Sequence, residues 1–354
     1  MGLLRLLLAI AVIAFHSGLQ VLGPLAVYSF FIMSGYAIFA GMNESKQRRL
    51  GLIKFFARRF NKLLPIYLLT CLVVTSMLIG FERWKPHSTQ TLIAKSEIYR
   101  SSNVWAIAKQ FVPTLTLSPW PIRVNPNVPL VPPWWSVVLE LGFYLICALI
   151  VYFYKWKAKV LIIYFSITLI LHLYLLKVIG QDLSRLNLYV YFSLFGTLVF
   201  FALGNITRHF SKSLKANLYV RNTAFAILIS FIFVFSYIVK DPTQLIPNHP
   251  VWGYLLAVYL VSYLTVMFLL NLPQGRIMVK NDVYFANHSY GIYVWQSATF
   301  FFVNYAETQH WWPATIGFPR FIIIITLTAL CSLASAKLIS YASKIVRKSD
   351  RIQR

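Results

Sequence analysis

At 354 residues, 58% hydrophobic and only 12% charged, the chain falls well outside the composition of soluble globular proteins, in which about a quarter of residues are charged. A net charge of +24, from 33 Lys and Arg against 9 Asp and Glu, would suit a nucleic-acid partner. Here, however, the cations lie in short segments between apolar runs, where membrane orientation and anionic lipid account for them. Those runs are near 20 residues each and recur from end to end, which excludes a sizeable soluble domain and predicts an all-α, polytopic transmembrane helical bundle.

The first apolar run, residues 2–18, reads GLLRLLLAIAVIAFHSG. It lacks a small-residue cleavage site and is read as a mature helix, not a signal peptide. It holds Arg5 and His16, eleven positions apart. At about 100° and 1.5 Å per residue, eleven steps return to within about 20° of the starting direction and cover about 16 Å. Both side chains therefore share one stripe of one helix. Ionisable groups within a membrane span carry a cost that function must justify.

About ten spans are expected, at 3–21, 24–42, 63–81, 134–154, 158–177, 186–203, 223–240, 251–271, 289–306 and 318–341. An even count puts both termini on one side. With that side cytoplasmic, the inner segments carry 21 Lys and Arg. The outer segments, with the edge residues Lys177 and Arg320, carry nine, six of them in one long loop where charge has little say in orientation. The organisation is thus a transmembrane unit over 1–342 and a basic cytoplasmic tail over 343–354. Residues 43–62, NESKQRRLGLIKFFARRFNK, combine seven cations with an apolar stripe and predict a basic amphipathic helix at the cytoplasmic interface. The outer loop 82–133 ends in a stretch with seven prolines in 21 residues, which favours an extended path. Its tryptophans, with Trp134 and Trp135, either cap a cavity and touch substrate or anchor at the headgroups.

Cys71, Cys147 and Cys331 fall inside spans without metal-ligand spacing and are read as buried thiols, and no Cys/His cluster suggests a metal. His172 is mid-span and reads as a packing residue. Of the nine acidic residues, Glu140 alone falls within a span. It lies some six residues below the outer surface, and His16 some five residues below it. The matching depths predict a His16–Glu140 contact in which the carboxylate orients an imidazole base.

These residues resemble the acyltransferase-3 family of bacterial integral-membrane acyltransferases. Arg5 and His16 are similar to its first-helix Arg-x10-His pattern, and FFIMSGY at Phe30–Tyr36 to its second-helix segment. The run Phe55 to Tyr67, with Arg58, Arg59, Lys62 and Pro65, resembles its double-arginine block. Trp135-Ser136 with Glu140, Phe143 and Tyr144 resembles its WSLxxE…FY element, and Ser289-Tyr290-Gly-Ile-Tyr293-Val-Trp295 its late motif. Leu141 stands where many members have a second Glu, and Gln296 where the late motif often has His.

The resemblance implies an enzyme of the bacterial inner membrane that moves an acyl group, acetyl or another short one, from cytoplasmic acyl-CoA to a sugar hydroxyl. The acceptor it implies is a surface polysaccharide such as O-antigen or exopolysaccharide. Acyl-CoA, membrane lipid and the polysaccharide are the partners, no cofactor is held permanently, and nucleic acid is none of the partners. His16, Glu140 and Arg5 are the catalytic candidates. Arg58, Arg59 and Lys62 are candidates for the donor's phosphates, which guanidinium groups bind with paired hydrogen bonds. Trp135, Ser136 and Tyr293 are candidates for substrate contact. His16 either deprotonates the acceptor hydroxyl or is transiently acylated and relays the group outward. The alternative from another class is a multi-span exporter of a small anionic or glycan substrate, which favours inverted repeats and broken helices; no repeat is evident.

Overall fold

The structure, a computed structural model, describes residues 1–45, 50–84, 134–154, 158–182, 186, 190–191, 193–211, 213–235, 245–246, 249–272, 280–311 and 317–352. These residues form ten α-helices: α1 Gly2–His16, α2 Gly23–Ser45, α3 Leu50–Trp84, α4 Trp134–Tyr154, α5 Ala158–Ile179, α6 Leu194–Ser211, α7 Leu218–Ser230, α8 Pro250–Leu270, α9 Lys280–Thr308 and α10 Phe318–Ile352. A π-helical turn over Phe231–Phe235 extends α7. Five segments are long and apolar enough to cross a membrane: Gly23–Gly41, Arg59–Met77, Ala158–Ile179, Pro250–Leu270 and Phe318–Ile339.

Helix ends depart from the expected runs where local hydrogen bonding, not hydropathy, decides. The first run was expected to continue to residue 21, but α1 stops at His16. Gly18 takes φ +86°, Gly18 N–H donates to Phe15 O and Leu19 N–H to Ala14 O at 3.0 Å. This is the Schellman pattern, which a residue with a Cβ adopts only under strain. The sixth run was expected from residue 186; Leu186 is helical and residues 190–191 are π-helical, and the regular helix α6 begins at Leu194. The Ser193 hydroxyl accepts from Gly196 N–H there, in the manner of an N-cap. The basic segment expected to be helical over 43–62 is helical from Leu50, where it forms the first turns of α3 and runs without a break through Pro65 to Trp84.

The interior is assembled with devices suited to a medium that supplies no hydrophobic drive between helices. On α5, Ile163, Ile167, Ile170 and Tyr174 are strongly exposed at helical spacing and form an outward apolar stripe. Thr168 and His172 on the opposite face are buried. His172 is a packing residue held at both nitrogens, Nδ1 by Gly196 O at 2.8 Å and Nε2 by Tyr259 OH at 3.2 Å. Hydroxyl pairs join helices: Ser29 with Thr265 at 2.8 Å and Thr299 with Thr328 at 2.8 Å. The Trp295 indole N–H donates to Ser335 Oγ at 3.0 Å.

Helices α2 and α6 come together at backbone distance. A Cβ on Gly204 would meet Ile32 O at 2.0 Å, and one on Gly35 would meet Phe201 O at 2.2 Å. No side chain fits at either position without separating the two helices.

Helices α1 and α9 lie side by side and run in the same direction. The α1 start is against Asp282 and Ala286, and the α1 end is against Phe300. Asp282 Oδ1 accepts from Gly2 N–H at 2.7 Å and Leu3 N–H at 3.2 Å, and the Met1 ammonium is 3.2 Å away. A carboxylate at a helix N-terminus satisfies orphan donors and complements the helix dipole. Burial pushes the Asp282 carboxyl upward, but the ammonium and these N–H groups outweigh it and hold it below its ordinary range. Its contribution is therefore complete above the unfolded-state value of about 3.9 and is lost as pH falls through the lower folded value. Asp282→Asn is expected to flatten the acid limb of thermal stability in detergent while leaving the neutral-pH fold intact, as followed by circular dichroism.

Candidate active site

Five helices contribute to one cavity of about 80 Å³. Helix α1 supplies Arg5, α2 Phe30 and Ser34, α3 Arg59 and Leu63, α4 Ser136, Glu140 and Tyr144, and α9 Ser289, Tyr290 and Tyr293. The antiparallel turn from α1 to α2 explains why Ser34 meets Arg5. Gly23 packs on Phe15, so ten residues back along α1, at Arg5, and eleven forward along α2, at Ser34, arrive at about the same level. Arg5 donates to Met33 O at 3.3 Å there.

Glu140 is the acceptor around which this cleft is organised. Ser34 Oγ donates to Glu140 Oε1 at 3.2 Å, and Tyr144 OH donates to the same oxygen. Tyr144 is four residues on and therefore on the same face of α4. The Arg59 guanidinium lies over the Tyr144 ring, 6.0 Å from its centroid. Arg5 is attracted by Glu140 and repelled by Arg59, and all three side chains line the same cavity. On the far wall Ser136 Oγ and Tyr293 OH are hydrogen-bonded at 3.1 Å, the Tyr293 ring packs against Phe30 at 5.7 Å, and Tyr290 OH donates to Leu63 O at 3.2 Å.

Of the residues expected to act, the cleft thus brings together Arg5, Glu140, Arg59, Ser136 and Tyr293. The side chains of Arg58, Lys62 and Trp135 lie outside the described residues, as does the loop over 85–133. The expected His16–Glu140 contact is corrected. His16 is exposed at the far end of α1, edge-on to Phe15 at 5.4 Å and to Phe300 at 5.8 Å. No hydrogen bond joins it to Glu140 among the described residues. Depth counted from Trp134 misled because α4 brings Glu140 level with the middle of α2, where the Ser34 and Tyr144 hydroxyls donate to it. Glu140 faces Arg5, about three turns from His16.

Ser34, Tyr144 and Tyr290 were not singled out from the sequence for contact with the site. The signal for Tyr144 is its four-residue spacing from the only intramembrane carboxylate. Among the described residues no three His, Cys, Asp or Glu side chains gather as metal ligands. What the cleft offers is guanidinium donors for an anion, aromatic walls, and hydroxyls able to accept or donate.

A family model described as an acyltransferase domain, of the acyltransferase-3 type, matches residues 1–337. Curated relatives named O-acetyltransferase OatA, from Staphylococcus aureus strains NCTC 8325, COL and MRSA252, are each 27% identical to the chain over 362 residues. The match covers 95% of this chain and 55% of each relative. The chain therefore spans about half the length of the curated relatives it matches. No solved structure matches it.

Proposed function

We propose, from the premise that this chain belongs to the acyltransferase-3 family, that it takes an acetyl or other short acyl group from cytoplasmic acyl-CoA. It delivers that group to a sugar hydroxyl of a surface polysaccharide such as O-antigen or exopolysaccharide. In this reading the bundle has about ten spans in the bacterial inner membrane with both termini cytoplasmic. The observation that carries the reading is the meeting of Arg5, Arg59 and Glu140, from three helices, in one intramembrane cleft.

The two ends of α1 divide the work. Acyl-CoA brings phosphates from the cytoplasmic side, and Arg59, with its chain neighbour Arg58 and with Lys62 about one turn on, receives them. Arg5 extends that positive field inward, and Glu140 keeps it from being unbalanced within the bilayer. The donor's long thiol arm reaches outward along α1 and presents the thioester near His16. There His16 removes the proton of the acceptor hydroxyl as its oxygen attacks the carbonyl, the C–S bond breaks, and the departing thiolate takes up a proton. Transient acylation of His16 followed by transfer to the hydroxyl is the relay form of the same chemistry. Ser136 and Tyr293 line the passage between the two ends.

Mass spectrometry of surface glycan from cells with and without the gene tests the reading. The expected difference is the mass of one acyl group per modified residue, removable by mild base. Identical glycan masses in the two strains would overturn it.

A further inference from the structure

Beyond His16, one face of α9 carries a second polar cluster. Phe300, which touches His16, is followed by Asn304 and Glu307 at spacings of four and seven. All three therefore lie on one stripe, and the cluster begins about one turn, or 6 Å, beyond the His16 contact. Arg320 of α10 reaches across to this stripe. Its Nη2 donates to Asn304 Oδ1 and lies 3.5 Å from Glu307 Oε2. Glu307 and Arg320 side chains are only 12% and 22% exposed, so the charges are held in a fixed arrangement rather than fully solvated. The Arg320 Nε–H has no partner among the described residues, which leaves a donor unused within the cluster.

The same stripe extends the other way. Gln296, one turn before Phe300, is 3% exposed, and its Oε1 has no partner among the described residues. Tyr293, a further turn back, lines the Arg5–Glu140 cleft. A single face of α9 therefore runs from the cleft, past His16, to the Asn304–Glu307–Arg320 cluster, and hydrogen-bonding groups flank the aromatic contact with His16 on both sides.

We infer that Asn304, Glu307 and Arg320 form a subsite for the acyl acceptor, and that its ligand is a neutral, hydroxyl-rich sugar ring. The inference rests on the acceptor proposed above and names where that acceptor is held. A fixed carboxylate beside an amide and a guanidinium offers paired acceptors and donors to vicinal hydroxyls. An amide and a balanced ion pair present no surplus charge to attract an anion. The cluster's offset along α9 from the Phe300–His16 contact, about 6 Å, is comparable to the breadth of a sugar ring, so in this inference a ring held there presents another hydroxyl toward the imidazole.

The test uses the full chain in proteoliposomes, with radiolabelled acetyl-CoA and base-deacetylated polysaccharide extracted from the same cells. KM is measured separately for each substrate. Asn304→Ala and Glu307→Gln are each expected to raise the polysaccharide KM about tenfold, as befits a lost hydrogen bond to a charged or fixed partner, with the acetyl-CoA KM unchanged. Unchanged polysaccharide KM in both variants, or a matching rise in both KM values, overturns the inference while leaving the acyltransferase reading intact. No transfer to the polysaccharide by the unaltered protein overturns the acceptor reading itself and this subsite with it.

Discussion

His16→Ala is expected to lower acyl transfer at least a hundredfold while leaving the fold unchanged. The two halves of that expectation come from different observations. The ring is exposed, makes edge-on contacts with Phe15 and Phe300, and has no hydrogen bond to another described residue. Its removal therefore leaves no buried group unsatisfied and opens no sealed core. The cost to chemistry is larger, because a positioned general base contributes about 10²–10⁴-fold. Label incorporated into polysaccharide by proteoliposomes measures the rate, and thermal unfolding in detergent controls for the fold. Full transfer by the folded variant would remove His16 from the mechanism. His16→Gln sharpens the result, since it retains a hydrogen-bonding side chain without a titratable nitrogen and is expected to be equally slow. A single turnover with labelled donor and no acceptor separates the two chemical forms. Label bound covalently to the wild-type chain and absent from His16→Ala marks the relay.

The membrane class and the helices were legible in the sequence because hydropathy at a period of about 20 residues has one physical reading. Each expected apolar run overlaps one of the ten helices. Helix ends were less legible, because they depend on individual hydrogen bonds: Gly18 ends α1 five residues before hydropathy does, and Ser193 starts the regular helix α6 inside the sixth expected run. Arg5 and Glu140 were identifiable because charges within a span have few structural excuses, and Arg59, outside the expected spans, because of the double-arginine block it belongs to. Their grouping was not. Depth along a helix is a one-dimensional measure, and it put Glu140 beside His16. The packing of Gly35 against α6 and of Gly23 against Phe15 decides which level of α2 faces α4, and those close approaches are invisible in a hydropathy profile. The stripe from Tyr293 to Glu307 was written in the spacing of α9 all along. Only the contact between Phe300 and His16 gave that face a meaning.

Glu140→Gln carries the second large effect, and it acts on stability and chemistry together. Gln is nearly isosteric and still accepts from Ser34 or Tyr144, so the hydrogen bonds can survive. The charge does not, and Arg5 and Arg59 are left facing each other in a medium of low dielectric. Arg5 and Glu140 line one cleft and attract one another; stranding a partly buried cation there costs up to about 3 kcal/mol, the lower end of the range for breaking a buried charge pair. A marked fall in thermal stability is expected, together with a loss of transfer of at least a hundredfold. Stability loss alone would explain an inactive variant, so the informative protein is the double replacement Arg5→Met with Glu140→Gln. It removes the attraction and the stranded cation in one step, and replacing a buried pair by apolar groups of similar volume is often neutral. The double variant is therefore expected to regain most of the lost stability and none of the lost transfer. Recovery of both would show that the pair serves only to hold α1 against α4. Recovery of stability alone would mean that the bilayer tolerates this charge pair because the donor needs it.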